Sequence, residues 1–152
     1  MKKAVILLGS NIDPAQNLRR AVDMLRLVSS NARCSSIWRT RAVGSTGPDF
    51  LNMAVEIETD LEIDALKFGV LRPIESKLGR VRTTDKNAPR TIDLDIVLLG
   101  DDVIDDEVWK LAHVAVPVAE LVPDLRHPLN GERLRDTAAR LQVQYGAEQI
   151  MG

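Results

Sequence analysis

The sequence predicts an α+β fold, a ferredoxin-like split βαβ sandwich with an antiparallel sheet and a short C-terminal extension, on three observations. The periodicities along the chain follow the order strand, helix, strand, strand, helix, strand. The two helical stretches each carry an apolar stripe, so each has one face to bury against a sheet. The length of 152 residues, 45% of them apolar and 28% charged, suits one core, so residues 1–152 are expected to form one domain.

Lys3 to Leu8 reads as a buried strand, ended by the turn residues Gly9-Ser10-Asn11. Asp13 is placed to cap the next helix with Pro14 at its first position, and Leu18, Ala21, Val22, Leu25 and Val28 fall on one face. Two runs follow, about Cys34 to Arg41 and Asp49 to Thr59, separated by a loop with glycine and proline punctuation. They are expected to pair antiparallel, with Met53, Val55 and Ile57 on one side of the second strand and Phe50, Asn52, Ala54 and Glu56 on the other. Thr59 and Glu62 have capping-box spacing ahead of a helix that runs to Gly79, and Pro73 is expected to kink it. Thr91 to Leu99 is the strongest strand pattern. Beyond Asp101 the periodicity weakens, leaving a helical turn near Pro117 and a last helix over Glu132 to Val143.

Composition narrows the function. Twenty Lys and Arg against 22 Asp and Glu give a formal charge of −2, which argues against a broad nucleic-acid footprint or a polybasic membrane anchor. Aromatics at 3% are too few for a sheet that stacks RNA bases. Cys34 has no partner for an internal disulfide, and the apolar run Ala4 to Leu8 is too short for a signal segment. The expectation is a cytoplasmic protein with small-molecule substrates, no nucleic acid, no membrane and no obligatory protein partner.

The chemistry concentrates on the strongest strand. Ile92, Leu94, Ile96 and Leu98 alternate with Asp93 and Asp95, and carboxylates two residues apart on a strand stand roughly 6.5–7 Å apart at their Cα atoms. That spacing suits a hard divalent cation whose shell is completed by substrate phosphates, although a solvated acidic stripe has the same pattern. Between Arg72 and Arg90 lies a local excess of four positive charges within a net acidic chain. Four of its six cations are Arg, whose planar fork suits phosphate. A solvated basic loop is the plain alternative, but metal-binding acids beside phosphate-clamping arginines are what phosphoryl-type transfer requires.

These residues carry a resemblance. Leu8-Gly9-Ser10-Asn11, Trp38-Arg39-Thr40, Pro48-Asp49-Phe50-Leu51-Asn52-Met53-Ala54, Glu75 with Gly79-Arg80-Val81-Arg82, and above all Pro89-Arg90-Thr91-Ile92-Asp93-Leu94-Asp95-Ile96 resemble the 6-hydroxymethyl-7,8-dihydropterin pyrophosphokinase family of folate biosynthesis. The resemblance implies transfer of pyrophosphate from MgATP to the pterin hydroxymethyl group, releasing AMP. It implies that Asp93 and Asp95 hold two Mg2+ ions, that Arg80, Arg82 and Arg90 meet phosphates, and that Glu75 and Ile96 line the nucleotide side. Arg82, Arg90, Asp93 and Asp95 would then form the catalytic set. On the pterin side it implies Asn52 reading the ring edge, Phe50 beside the ring, and Thr40 and Val43 closing the pocket. Phe50 and Trp38 are also ordinary core candidates.

Three departures accompany the resemblance. Thr84-Asp85-Lys86-Asn87-Ala88 stands where the family carries a loop tryptophan, and Asp105 to Ala112 is too short for the family's Pro-His segment and following Arg, leaving Lys110 as the only cation there. His113 falls where the family has a pterin-stacking Phe. The alternative to the active enzyme is therefore a divergent paralogue that binds nucleotide or a pterin-like ligand with an altered acceptor or little turnover.

Overall fold

The structure is a computed structural model that describes residues 1–40, 48–81 and 90–151. Val43, Arg82 and the Thr84–Ala88 departure lie outside the described residues.

Strand β1 (Lys2–Ser10) occupies the middle of a seven-stranded sheet. It pairs antiparallel with β4 (Phe50–Thr59) on one side and β5 (Asp93–Leu99) on the other. β3 (Ile37–Thr40) and the short β2 (Arg33–Cys34) both pair with β4. The sheet order is β6-β5-β1-β4-β3-β7, with β6 (Asp102–Val103) and β7 (Glu148–Met151) at the edges. The central four strands reproduce the split βαβ arrangement read from the element order. β1 reads as one unbroken apolar run because both faces of the sheet are covered. Ala4, Ile6 and Leu8 join Met53, Val55 and Ile57 beneath α1 (Pro14–Val28) and α3 (Arg72–Lys77), while Val5, Leu7 and Ala54 face α4 (Ala112–Leu121) and α5 (Leu134–Tyr145).

Several local expectations are corrected. Asp13 precedes α1 as expected, but it sits in the left-handed region at φ 42° and its side chain makes no cap. An N-cap residue normally adopts β geometry to aim its oxygen at the first turn. Here the Asp13 carbonyl accepts from Asn17 N at 3.0 Å, and the Asn17 side chain donates to the Ile12 carbonyl at 2.7 Å. The Thr59–Glu62 capping box is likewise not formed, because the Thr59 hydroxyl accepts the nearer Leu61 N–H and the helix starts one residue after Glu62.

The kink expected at Pro73 is taken up one turn earlier. Between α2 (Ile63–Leu66) and α3 the chain forms a π turn over Lys67–Leu71. Pro73 offers no N–H to the Gly69 carbonyl and crowds it, and a widened turn relieves both problems. Gly79, at φ +86°, then stops the helix.

Leu98 does not share a face with Leu94. Opposite β1, Leu98 pairs with Val5 but Ile96 pairs with Ile6, so Val97 is an extra, bulged residue. The bulge reverses the alternation, sending Leu98 to the α4 face while Leu94 and Ile96 stay beneath α1 and α3. The Val97 carbonyl, turned out of the ladder, accepts from Ile104 N at 2.8 Å.

The C-terminal region is more than a short extension. It supplies the layer covering the second sheet face and adds β7 alongside β3. α4 runs unbroken through Pro117, and Trp38 packs in that layer with its indole N–H donated to Glu120 at 2.6 Å. Trp38 is thus a core residue that ties β3 to α4.

Candidate active site

The end of the sheet where β1 stops brings together three segments distant in sequence. Ser10 donates its hydroxyl to the Thr91 carbonyl at 2.6 Å, and Asn11 exchanges hydrogen bonds with Arg90: its N–H to the Arg90 carbonyl at 3.1 Å, and the Arg90 N–H to Asn11 Oδ1 at 2.6 Å. Asn11 Nδ2 also reaches the Pro48 carbonyl at 3.4 Å. Gly9-Ser10-Asn11 is therefore a clamp on the segments entering β4 and β5, a role missed when the tripeptide is read only as a turn. Its residue types were the available signal, since Ser and Asn side chains readily satisfy neighbouring backbone groups.

On the β4 side, Asn52 is only 2% exposed, stands opposite Gly9, and donates Nδ2 to Thr40 Oγ1 at 2.7 Å. The absence of a side chain at Gly9 makes this possible, because a Cβ there would lie 2.9 Å from Asn52 Oδ1. Phe50 lies at the start of the same strand, with the Arg90 guanidinium 5.8 Å from its ring centroid. Asn52, Thr40, Phe50 and Arg90 are thus brought together.

On the β5 side, Asp93 and Asp95 flank Leu94 at the start of the strand, and Arg90 Nη1 lies 3.8 Å from Asp93 Oδ2. Burial, then the charges of Asp93 and Glu75, push Asp95 up to about 7. This crowding of acids is the electrostatic state that a hard divalent cation relieves. Among the described residues no group of three or more His, Cys, Asp and Glu is arranged to hold a metal ion. The donor set fits an ion such as Mg2+ instead, which takes one or two carboxylates and completes its shell with substrate phosphates and water.

Glu75 joins α3 to β5. It is 1% exposed, with Oε2 accepting the Leu94 N–H at 2.8 Å and Oε1 accepting from Arg72 at 2.9 Å. Arg72, one of the four arginines of the basic stretch, also lines a cavity of about 160 Å3 whose apolar walls include Ile63, Leu71, Ile96 and Ile104. Asp95 and Asp105 complete part of that wall. Arg80 follows the helix stop, donating its N–H to the Glu75 carbonyl at 2.9 Å and Nη1 to the Val81 carbonyl at 2.9 Å. His113 lies in the first turn of α4, where burial, helped by the charge of Arg90, pushes its pKa down against the charges of Asp105 and Asp93. Lys110 is at the surface, paired with Asp106 at 3.3 Å.

The family described as 7,8-dihydro-6-hydroxymethylpterin-pyrophosphokinase matches residues 5–123. The chain belongs to this family. Among similar curated proteins, the 2-amino-4-hydroxy-6-hydroxymethyldihydropteridine pyrophosphokinase of Methylorubrum extorquens is 38% identical over 99% of both chains. That of Synechocystis is 37% identical, covering 86% of this chain and 72% of its own. Among solved structures, the wild-type HPPK-DHPS of Plasmodium falciparum superposes with a TM-score of 0.71 at 12% identity over 98% of this chain, which shows the shared fold. This chain spans 44% of that solved chain.

Proposed function

We propose that this pyrophosphokinase-family chain transfers pyrophosphate from MgATP to the hydroxymethyl group of 6-hydroxymethyl-7,8-dihydropterin. The hydroxyl oxygen attacks the β-phosphorus of ATP, the bond between that phosphorus and the oxygen bridging to the α-phosphate breaks, AMP leaves, and the hydroxyl proton is lost. The observation that carries this reading is the placement of Asp93 and Asp95 on β5, beside Arg90 and within reach of the same sheet end as Asn52 and Thr40.

Asp93 and Asp95 would hold Mg2+, which when bound neutralises phosphate charge. Arg80, Arg82 and Arg90 would meet the phosphates, with Arg90 also fixed against Phe50 and Asn11. Asn52, held by Thr40, would present its remaining amide capacity to the pterin edge, and Phe50 would lie beside the ring, with Val43 and His113 closing the pocket. Ile96 would line the nucleoside, and Glu75 would serve that side through its hold on Leu94. No helix among the described residues is long and apolar enough to cross a membrane, in keeping with a cytoplasmic small-molecule enzyme.

The test is direct. The protein mixed with MgATP and hydroxymethyldihydropterin should release AMP, and only when the pterin is present. Nucleotide binding without AMP would favour the divergent paralogue, a reading supported by Lys110 being tied to Asp106 rather than offered to phosphate.

A further inference from the structure

We infer that Arg72 is a positioning residue for the acidic strand, holding the Glu75 carboxylate that holds the Leu94 N–H and, with it, the aspartates on either side. The inference rests on the function proposed above. β5 is paired on its outer edge with β6 only at Leu98 and Leu99. Along Asp93 to Asp95 its inner neighbours are Gly9, Leu8 and Leu7 of β1, and the outward Leu94 N–H is taken by Glu75 Oε2 at 2.8 Å. A side-chain carboxylate thus does the work of a neighbouring strand at the residue between the two acids.

That carboxylate is 1% exposed, and a buried carboxylate is held in place only with a cation and hydrogen bonds. Arg72 Nη1 supplies one such bond at 2.9 Å, from three residues earlier on the same helix face. Arg72 is one of the four arginines of the basic stretch but not one of the three that the family resemblance places on phosphate, and its guanidinium does not need to touch substrate to matter. If Arg72 were lost, Glu75 would lose this anchor, and the start of β5 would loosen where Asp93 and Asp95 must be held. Partners that orient metal-ligating carboxylates are typically worth about 10- to 100-fold in affinity or activity.

Because Arg72 also lines the cavity beside Asp95, direct contact with the nucleotide is the competing role. The test measures two quantities in wild type and Arg72→Met: hydrogen exchange of the Leu94 amide in the ligand-free protein, and AMP formation from MgATP and hydroxymethyldihydropterin. The expected result is Leu94 exchange faster by about 10-fold or more, with Ile6 and Val55 still protected, and kcat lower by about 10- to 100-fold at an ATP KM changed by less than about threefold. Unchanged Leu94 exchange, or a raised ATP KM at unchanged kcat, overturns the inference. Should Arg72→Met fail to fold, Arg72→Lys decides: slower turnover with faster Leu94 exchange supports the inference, and wild-type values in both overturn it. A wild type that forms no AMP defeats the proposed function instead, and the exchange measurement then tests the strut alone.

Discussion

On the β4 side of the site, the Asn52 amide hydrogen bonds to the Thr40 hydroxyl and fits against a bare Gly9, whereas on the β5 side Asp93, Asp95 and Glu75 crowd three carboxylates near Arg72 and Arg90. The first arrangement is neutral and held by a hydrogen bond within the protein, so it is shaped before any ligand arrives. The second crowds like charge, which an added cation would relieve. On the function proposed above, the labour would be divided: one side would recognise a flat, neutral heterocycle by fixed donors and acceptors, and the other would take up a metal and its polyphosphate.

The comparison breaks most sharply at Asp95. Asp95→Ala should lower AMP formation by about 10³-fold or more at saturating magnesium, while circular dichroism remains that of the folded protein. Asp95→Asn should also make the ligand-free protein more stable to urea at pH 8, because it removes a crowded negative charge. Undiminished turnover in either variant would remove the metal assignment, and a loss of stability in Asp95→Asn would show that the acidic side is not electrostatically crowded.

Gly9→Ala comes next. The added Cβ would stand 2.9 Å from Asn52 Oδ1, and Asn52 can retreat only by giving up its bond to Thr40. Thermal denaturation should show a loss of about 1–3 kcal/mol, the usual cost of overpacking, together with a raised KM for the pterin and little change in that for ATP. Thr40→Val, which keeps the shape and removes only the acceptor, should cost about 1–2 kcal/mol by leaving a buried amide donor unsatisfied. An equal rise in the KM of both substrates would mean that the two sides are not separate.

The acidic strand was legible because its information is local: Asp93 and Asp95 interrupt an apolar strand at a spacing that needs no tertiary contact to interpret. The same holds for Asn52, a residue type poorly suited to a buried strand unless it has a partner. What supports these residues was not legible, because it depends on pairing between distant segments. Nothing near Glu75 announces that its carboxylate closes the edge of β5, and nothing near Val97 marks it as the bulge that turns Leu98 to the other face. α4 was reduced to a turn for a different reason. Ala112 to Leu121 is apolar on nearly every side and contains Pro117, so it has no stripe to read, and its helical state follows from burial between the sheet and α5.

The smallest expected effect concerns His113, where α4 meets the acidic side. A protonated imidazole there would neutralise part of the carboxylate charge and blur the contrast between the two sides. Burial holds its pKa below the ordinary 6.5 even though Asp105 and Asp93 favour the charged form, with Arg90 opposing them. A histidine depressed in this way is neutral in the folded protein at pH 7. Below pH 6.5 the unfolded chain takes up a proton that the folded chain refuses, so stability is full above 6.5 and falls as the pH drops towards the lowered value. Urea midpoints measured from pH 8 to pH 5 should therefore decline less in His113→Gln than in the wild type. A steeper decline in His113→Gln would mean that the imidazole is charged in the fold and already serves as the counter-ion of the carboxylates, which would leave Asp93 and Asp95 with less need of a metal.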